Sequence, residues 1–585
     1  SVTYALAAEA NRQRRAAVRN CEFSLNNDGH PYERGGRRRI IALMSKQKTQ
    51  VDYTPFCANN QMYLPMETSV LIPQDEPVLL LNAIIEGMDL SKLNQAYSRL
   101  GRIEYSPRIL LKILIYAYMQ GIFSSHEIEA ACKVNICFMY LLEDMPSPSA
   151  STICRFRRKL GEETGNDLIV QLARRLESAG LLSFEHVFID GTKVEANANK
   201  YTFVWRKTVE KNAAKLQKRI QKELSGILRN EHIRYSVPKE VHSNNLQSVL
   251  KKLYAKKEEQ DIEFVYGKGQ RKTPLQREIE TVEEWHRRAL NYEVAHETFA
   301  GRNSYSKTDP DATFMHMKED HMRNGQLKPG YNVNVASASG FIIGNYISPD
   351  RSDMATLIPL TERLLRNYSV GNVVVDSGYE SEENYSYYDE LENTELWVKP
   401  SNYEQQKKRK YRNDISRKEN MEYDAEKDVF YCAKGNELVP TDIKRHKTAN
   451  GFINETTVYS CSHCEGCPLK EQCIKSNSTK PLEERSKNIY VNKDFMEHRN
   501  NMLKKITSTK GKLLRVNRSI WAEGVFAVIK EDLIFRRFML RGKYKVEAEW
   551  TLLSLAYNFW KLHHKLQNGR LDPGLIIPAS FPSGL

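Results

Sequence analysis

Three acidic residues stand where a carboxylate can be aimed at a metal ion. Asp190 closes an apolar run, Val187-Phe188-Ile189-Asp190, and is followed by Gly191-Thr192-Lys193. Asp376 closes a second run, Val373-Val374-Val375-Asp376, followed by Ser377-Gly378-Tyr379. Glu523 lies early in an amphipathic stretch from Trp521 to Lys530. Two strand-end aspartates and a helical glutamate can hold two divalent cations about 4 Å apart against a phosphodiester, one activating the nucleophile and the other stabilising the leaving oxygen. Mg²⁺ (or Mn²⁺) prefers oxygen ligands and keeps several waters, so two or three carboxylates suffice. An aspartate at a strand's carboxyl end points to the crevice where open α/β sheets bind ligands. In helical projection Glu523 neighbours Ala527 and Lys530, with Val525, Val528 and Ile529 opposite. An apolar face can therefore pack on a sheet while Glu523 and Lys530 face outward together, Lys530 serving as a point charge for phosphate. Each acid alone reads equally well as a cap or turn residue. Only the set, on a basic chain, favours the metal.

The chain has 585 residues and a formal net charge of +14, which points to a polyanionic partner such as nucleic acid. Its hydrophobic share of 41% supports a sizeable core, and its length predicts several domains or one domain with large insertions. No apolar stretch is long enough to cross a bilayer. The N-terminus shows no secretory signal pattern, which predicts a cytoplasmic location.

Residues 1–43 carry two basic clusters, Arg12-Gln13-Arg14-Arg15 and Arg37-Arg38-Arg39, and read either as a non-native leader or as a basic arm that grips DNA. Residues 44–180 read as a helical DNA-binding region. Ile109, Leu110, Ile113, Leu114 and Ala117 recur at helical spacing, and Ser124 or Ser125 caps a following helix. The cationic run Ile153-Cys154-Arg155-Phe156-Arg157-Arg158-Lys159-Leu160 suits the recognition helix of a helix-turn-helix, which makes Arg155, Arg157 and Arg158 candidate DNA contacts; the plainer reading is a solvated basic face.

Residues 181–204 and 303–400 read as an α/β core. Tyr331-Asn332-Val333-Asn334-Val335 and Phe341-Ile342-Ile343 flank the turn Ala338-Ser339-Gly340, predicting a hairpin. A helix over 355–365, the strand ending at Asp376, a helix over 382–391 and the strand Glu395-Leu396-Trp397-Val398 predict a parallel crossover. Between the halves, residues 205–302 carry apolar spacing such as Leu216, Ile220, Leu224 and Leu228, predicting a long antiparallel helix pair. Residues 511–565 read as helical, with an apolar stretch from Trp550 to Trp560 bound for the core; 566–585 is a tail.

Of ten cysteines, five fall within 432–473, in the polar segment 401–510. Cys461-x2-Cys464-x2-Cys467-x5-Cys473 has the spacing of a structural Zn²⁺ site, in which four thiolates organise a module lacking a core of its own. Cys461, Cys464, Cys467 and Cys473 are the first choice, with Cys432 as an alternative ligand. Cys21, Cys57, Cys132, Cys137 and Cys154 are scattered and read as buried apolar residues.

The ordered set Phe188-Ile189-Asp190-Gly191-Thr192-Lys193, Lys328-Pro329-Gly330-Tyr331-Asn332, Asp376-Ser377-Gly378-Tyr379, Glu523-Gly524-Val525-Phe526 and Phe535-Arg536-Arg537-Phe538 resembles the DDE transposases of bacterial insertion sequences. Ser306-Lys307-Thr308-Asp309-Pro310-Asp311-Ala312 and Arg541-Gly542 belong to the same likeness. It runs from about residue 50 to 565. It implies an RNase H-like mixed sheet with helices, Asp190, Asp376 and Glu523 as the catalytic trio holding two Mg²⁺ (or Mn²⁺), and a zinc-bearing insertion. The DNA partners implied are the element's terminal inverted repeats and a target duplex, contacted in part by Lys193, Arg518 and Lys530. A homodimer on DNA and a nucleoid-associated place in a bacterial cell are implied as well. A related group shows Tyr-x2-Arg-x3-Glu-x6-Lys around the glutamate. Here Lys530 keeps its spacing from Glu523, but the position four before Glu523 is Ser519, Arg518 is one step off, and the tyrosine is absent. Asp309, Asp311, Glu195 and Glu531 are rival acids. Two other functions share the pattern: a catalytically idle DNA-binding regulator, and an RNase H-like nuclease that cuts without joining.

Overall fold

The central strand, β1 (His186–Glu195), decides the architecture because its two edges take partners of opposite sense. In the computed structural model, residues 71–569 are described, apart from 96, 98–103, 268, 270, 318–324, 449, 476–477 and 479. The chain divides into Ser1–Thr49 and Gln50–Leu585. The leader or arm expected at 1–43 and the tail from 570 onward lie outside the described residues.

Ahead of β1 come helices α1 (Pro77–Glu86), α2 (Pro107–Met119), α3 (Ser125–Val134), α4 (Ala150–Lys159) and α5 (Glu162–Ser178). All of α2 except Arg108 is buried, which only a helix walled on every side can be. In α4 the Ser149 side chain caps Thr152 N, and Ile153 and Phe156 face the core. Arg155 and Arg158 are exposed, but Arg157 is not. Arg157 is 2% exposed, donates to Phe123 O at 2.5 Å and lies over the Tyr118 ring. It therefore does not present itself to DNA as expected, because it stands on the same helical face as Ile153 and turns inward with it.

After β1, a two-stranded ribbon, β2 (Phe203–Trp205) with β3 (Ser304–Ser306), brackets a helical insertion. Among the described residues it holds three long helices, α6 (Arg206–Asn230), α7 (Ser243–Glu259) and α8 (Pro274–Phe299), not the expected pair. His232 at positive φ and Pro238 break the first junction, and Gly267, Gly269 and Pro274 break the second. The three bury Leu216, Ile220, Leu224, Val249, Leu253, Ile279 and Trp285 in a core of their own.

The main sheet has six strands. β5 (Leu327–Ala338) runs antiparallel to β1 over its length, from Val187 opposite Ala338 to Glu195 opposite Gly330. On the far edge of β5 lie β4 (Thr313–His316) and β6 (Phe341–Ser348). The β5–β6 hairpin closes through Ser339 (φ 50°) and Gly340 (φ 81°), the two positive φ values a tight primed turn requires. β7 (Asn372–Val375) lies parallel to the other edge of β1, and β8 (Glu395–Val398) parallel to β7. Helices α9 (Leu357–Leu365) and α10 (Glu382–Asp389) lead into β7 and β8 respectively. A second, antiparallel sheet follows in the order β13-β12-β11-β10-β9, built from Glu422–Asp424, Val429–Tyr431, Glu437–Lys447, Ile453–Cys461 and Asn488–Val491 in chain order from β9 to β13. Helix α11 (Thr509–Arg518) returns the chain to the main sheet, and α12 (Lys543–Gln567) fills the core with Trp550, Leu553, Ala556 and Phe559. No helix among the described residues is long and apolar enough to cross a membrane.

Inside this core sits an acid. Glu549 is fully buried on α12, where Leu540 N donates to it at 2.9 Å and Met539 N at 3.0 Å, with Arg157 nearby. Burial pushes its carboxyl up to about 7, only partly offset by Leu540 N and Arg157. The folded state then holds a proton that the unfolded chain releases, so this stability is present below the unfolded carboxylate range and is lost as pH rises toward about 7. Glu549→Gln should flatten the fall in stability between pH 5 and 7.5 by roughly 2 kcal/mol, measured by urea unfolding across that range. An unaltered pH dependence would show that the carboxyl is not the titrating group.

Candidate active site

β1 outruns its parallel neighbour. The β1–β7 ladder ends at Phe188 opposite Val374, while the β1–β5 ladder continues to Glu195. Asp190 and Asp376 each stand two residues past that last parallel pair. Asp376 follows directly on the end of β7, and both aspartates lie close enough to Tyr379 to act on its hydroxyl. The expectation that Asp190 ends its strand is thus corrected: it lies inside β1, because the antiparallel partner carries the strand five residues further. Asp190 is buried, and its Oδ1 accepts from Gly191 N at 2.9 Å. Asp376 caps the turn Ser377–Tyr379, its Oδ1 accepting from Gly378 N at 2.7 Å. The capping role holds for this residue.

Residues 518–530 cross the face of β1 that carries Phe188, Asp190 and Thr192. Trp521 meets Phe188 edge to face at 5.6 Å, and Ser337 Oγ lies 3.3 Å from the carbonyl oxygens of both residues. Val525, Phe526 and Ile529 are buried, as the amphipathic reading requires. Arg518 joins two of the acids: its Nη2 donates to Glu523 Oε1 at 2.9 Å, and its Nη1 is 3.8 Å from Asp190 Oδ1. Lys530 donates to Thr192 Oγ1 at 2.7 Å, so it faces β1 rather than pointing outward.

The missing arginine of the glutamate motif is explained here. Ser519–Glu523 is a π-helical turn. Its i to i+5 spacing puts a residue five before the glutamate on the face that four before would occupy in an α-helix. Arg518 therefore reaches Glu523 although the linear spacing is one residue too long.

The rival acids are held by other tasks. Tyr331 Oη donates to Asp309 at 2.9 Å, and Gly542 N and Lys543 N donate to Asp309 and Asp311, fastening that loop to the start of α12. Glu195 pairs with Lys328 and Glu531 with Arg536. A fourth acid escaped the sequence reading. Asp353 lies beside Gly191 and Gly378, and accepts from Asn332 Nδ2 at 2.6 Å. The available signal was the alternation of Asn332 and Asn334 in β5. Both are fully buried. Tyr379 is buried in the field of Asp353, Asp190 and Asp376, and burial first, then those three charges, hold its hydroxyl well above its ordinary range. Among the described residues, no group of three or more His, Cys, Asp or Glu side chains is closed around a metal position.

The clustered cysteines are free thiols in and beside the second sheet. Cys461 ends β12 and is buried with Phe430, Leu438, Tyr459 and Ile489, with Cys432 and Cys464 packed against that core. The Cys473 thiol is raised first by burial and then by Cys432, Cys464 and Cys467, while Lys487 opposes. Lys487 N also donates to Cys464 Sγ at 3.3 Å.

Two family models match the chain. One is described as a transposase DDE domain and covers residues 431–563, which include Glu523 but not Asp190 or Asp376. The other, a transposase domain of the DUF772 type, covers 66–159, the helices ahead of β1. No curated protein and no solved structure matches. Together the two matches support a DDE transposase of an insertion-element type.

Proposed function

We propose that this transposase cuts DNA at the element's ends with two divalent cations and joins the freed 3′-hydroxyl to a target duplex. One observation carries the reading: Arg518 sits between Asp190 and Glu523, while Asp376, just past the end of β7, shares the surroundings of Tyr379 with Asp190. A guanidinium held between two carboxylates marks this as a place that takes positive charge, which fits Mg²⁺ or Mn²⁺ and their oxygen ligands. When bound, such a pair supplies an activated water and a stabilised leaving oxygen. Asp190 and Asp376 hold the cations in this reading, and Glu523 completes the set. Arg518, released from the two acids, and Lys530 are then placed to meet phosphate. The strand order supports an RNase H-like core, with an antiparallel hairpin on one edge of β1 and two parallel strands on the other. Arg155 and Arg158, exposed on α4, remain the candidate duplex contacts of the N-terminal region, with Lys193 a further one near the site. Two ends handled together call for a homodimer on DNA.

The assay that tests this is strand transfer with end-containing duplex and Mg²⁺. Cleavage followed by joining supports the reading, cleavage alone makes the protein a nuclease, and binding alone makes it a regulator. Glu523→Gln should leave end-DNA affinity unchanged and lower cleavage by more than about a hundredfold. Wild-type cleavage by the variant would refute the role of Glu523.

We also propose a structural Zn²⁺ in the second sheet. Cys461 has Cys464 and Cys432 for neighbours but is itself buried in the apolar core, whereas Cys473 has Cys432, Cys464 and Cys467, which favours Cys432, Cys464, Cys467 and Cys473 as the tetrahedral set with Cys461 as the alternative ligand. Cys432→Ser should then release the metal from the purified protein, and Cys461→Ala should retain about one equivalent by elemental analysis. The reverse pattern would restore the consecutive set Cys461, Cys464, Cys467 and Cys473.

A further inference from the structure

We infer that Asp353, Asn334 and Tyr379 are positioning residues that set the distance between Asp190 and Asp376. The inference rests on the proposed function and adds to it the parts that hold the two aspartates in register. It begins at Gly191, the residue after Asp190. A Cβ built there would lie 2.9 Å from Asp353 Oδ1, 3.0 Å from Asn334 Oδ1 and 3.0 Å from Tyr379 Oη. Three oxygens from three chain segments close onto one point that only a glycine leaves open. At Gly378, two residues after Asp376, a Cβ would lie 3.0 Å from Asp376 Oδ1 and 3.4 Å from Asp353 Oδ2. Asp353 thus leans one oxygen toward each aspartate's glycine.

The segments are tied to one another. Asn332 Nδ2 donates to Asp353 Oδ1 at 2.6 Å, and Tyr379 Oη donates to Asn334 Oδ1 at 2.5 Å. Thr356 Oγ1 reaches both Asn334 Oδ1, at 2.9 Å, and Asp353 O, at 2.7 Å. Asn384 Nδ2 donates to Met354 O at 3.0 Å and Tyr379 O at 2.7 Å, joining the Asp353 turn to the Asp376 turn. The donors here are amides and hydroxyls. They fix the Asp353 carboxylate and the two turns without cancelling charge, unlike Arg518.

The network is also costly. Asn332 Oδ1 and Asn334 Nδ2 are buried and, among the described residues, have no hydrogen-bond partner. Apolar residues would fill the same space more cheaply if packing were the only need. An arrangement that keeps unsatisfied polar atoms beside two aspartates is accounted for by the geometry it imposes on them.

Tyr379→Phe tests this, since it removes one hydroxyl and keeps the ring. Cleavage of end DNA should show kcat lowered about tenfold with KM for DNA unchanged, a Mn²⁺ requirement shifted to higher concentration, and an unchanged melting temperature. Gly191→Ala is an independent probe of the same contact and should lower kcat by about a hundredfold. Combined with Tyr379→Phe it should cost less than the product of the two, because the second change vacates part of the space the methyl group needs. A wild-type kcat in Tyr379→Phe, a loss carried by KM, or strict additivity in the double variant would overturn the inference while leaving the proposed function intact. A wild-type protein that neither cleaves nor responds to Mn²⁺ would remove the proposed function itself, and this inference with it.

Discussion

In the proposed site, the carboxylates of Asp190, Asp376 and Glu523 repel one another, and the surrounding structure can be understood as what holds them against that repulsion. Two devices act on opposite faces of β1. On one face a single guanidinium, Arg518, lies between Asp190 and Glu523. On the other, oxygens of Asn334, Asp353 and Tyr379, tied together by amide and hydroxyl donors, crowd onto Gly191. The first device is electrostatic and exchangeable, since another cation can take its place. The second is steric and hydrogen-bonded, so it persists whatever ion is present. A site that must exchange positive charge without losing its shape needs both kinds.

The sheet makes the arrangement possible by mismatch. A strand paired equally on both edges would bury Asp190 within two ladders. Here β7 stops early and β5 continues, so Asp190 is rigidly held on one edge and open on the other. The large insertions leave this geometry undisturbed because each has its own core. The three helices between 206 and 299 close on Trp285 and its neighbours, and the sheet from 422 to 491 closes on Phe430, Leu438 and Tyr459. Glu523 lies more than 300 residues after Asp190 in the chain, yet Phe188, Trp521 and Ser337 fasten its segment to β1.

Where the sequence could be read, local physics was enough. The Ser339-Gly340 turn, the run ending at Asp376 and the helix-strand unit up to Val398 follow from turn chemistry and apolar period alone. Misreadings arose where a tertiary partner decides. Asp190 was taken for a strand end because the polar residues after Ile189 look like a terminus, and only the pairing with β5 extends the strand. Arg157 was grouped with Arg155 and Arg158 by charge, although the helical face it shares with Ile153 and Phe156 turns it inward. Arg518 looked displaced because an α-helical count was applied to a π-helical turn. Asp353, Asn332 and Asn334 went unnoticed because buried polar residues in a strand carry the same period as an exposed polar face.

The most direct measurement is the position of Mn²⁺ in crystals of the protein bound to end DNA, located by anomalous scattering. The account predicts two ions about 4 Å apart, ligated by Asp190, Asp376 and Glu523, with Arg518 moved from the acids onto a phosphate. Ions bound elsewhere, with Arg518 still seated between Asp190 and Glu523 in the DNA complex, would contradict it.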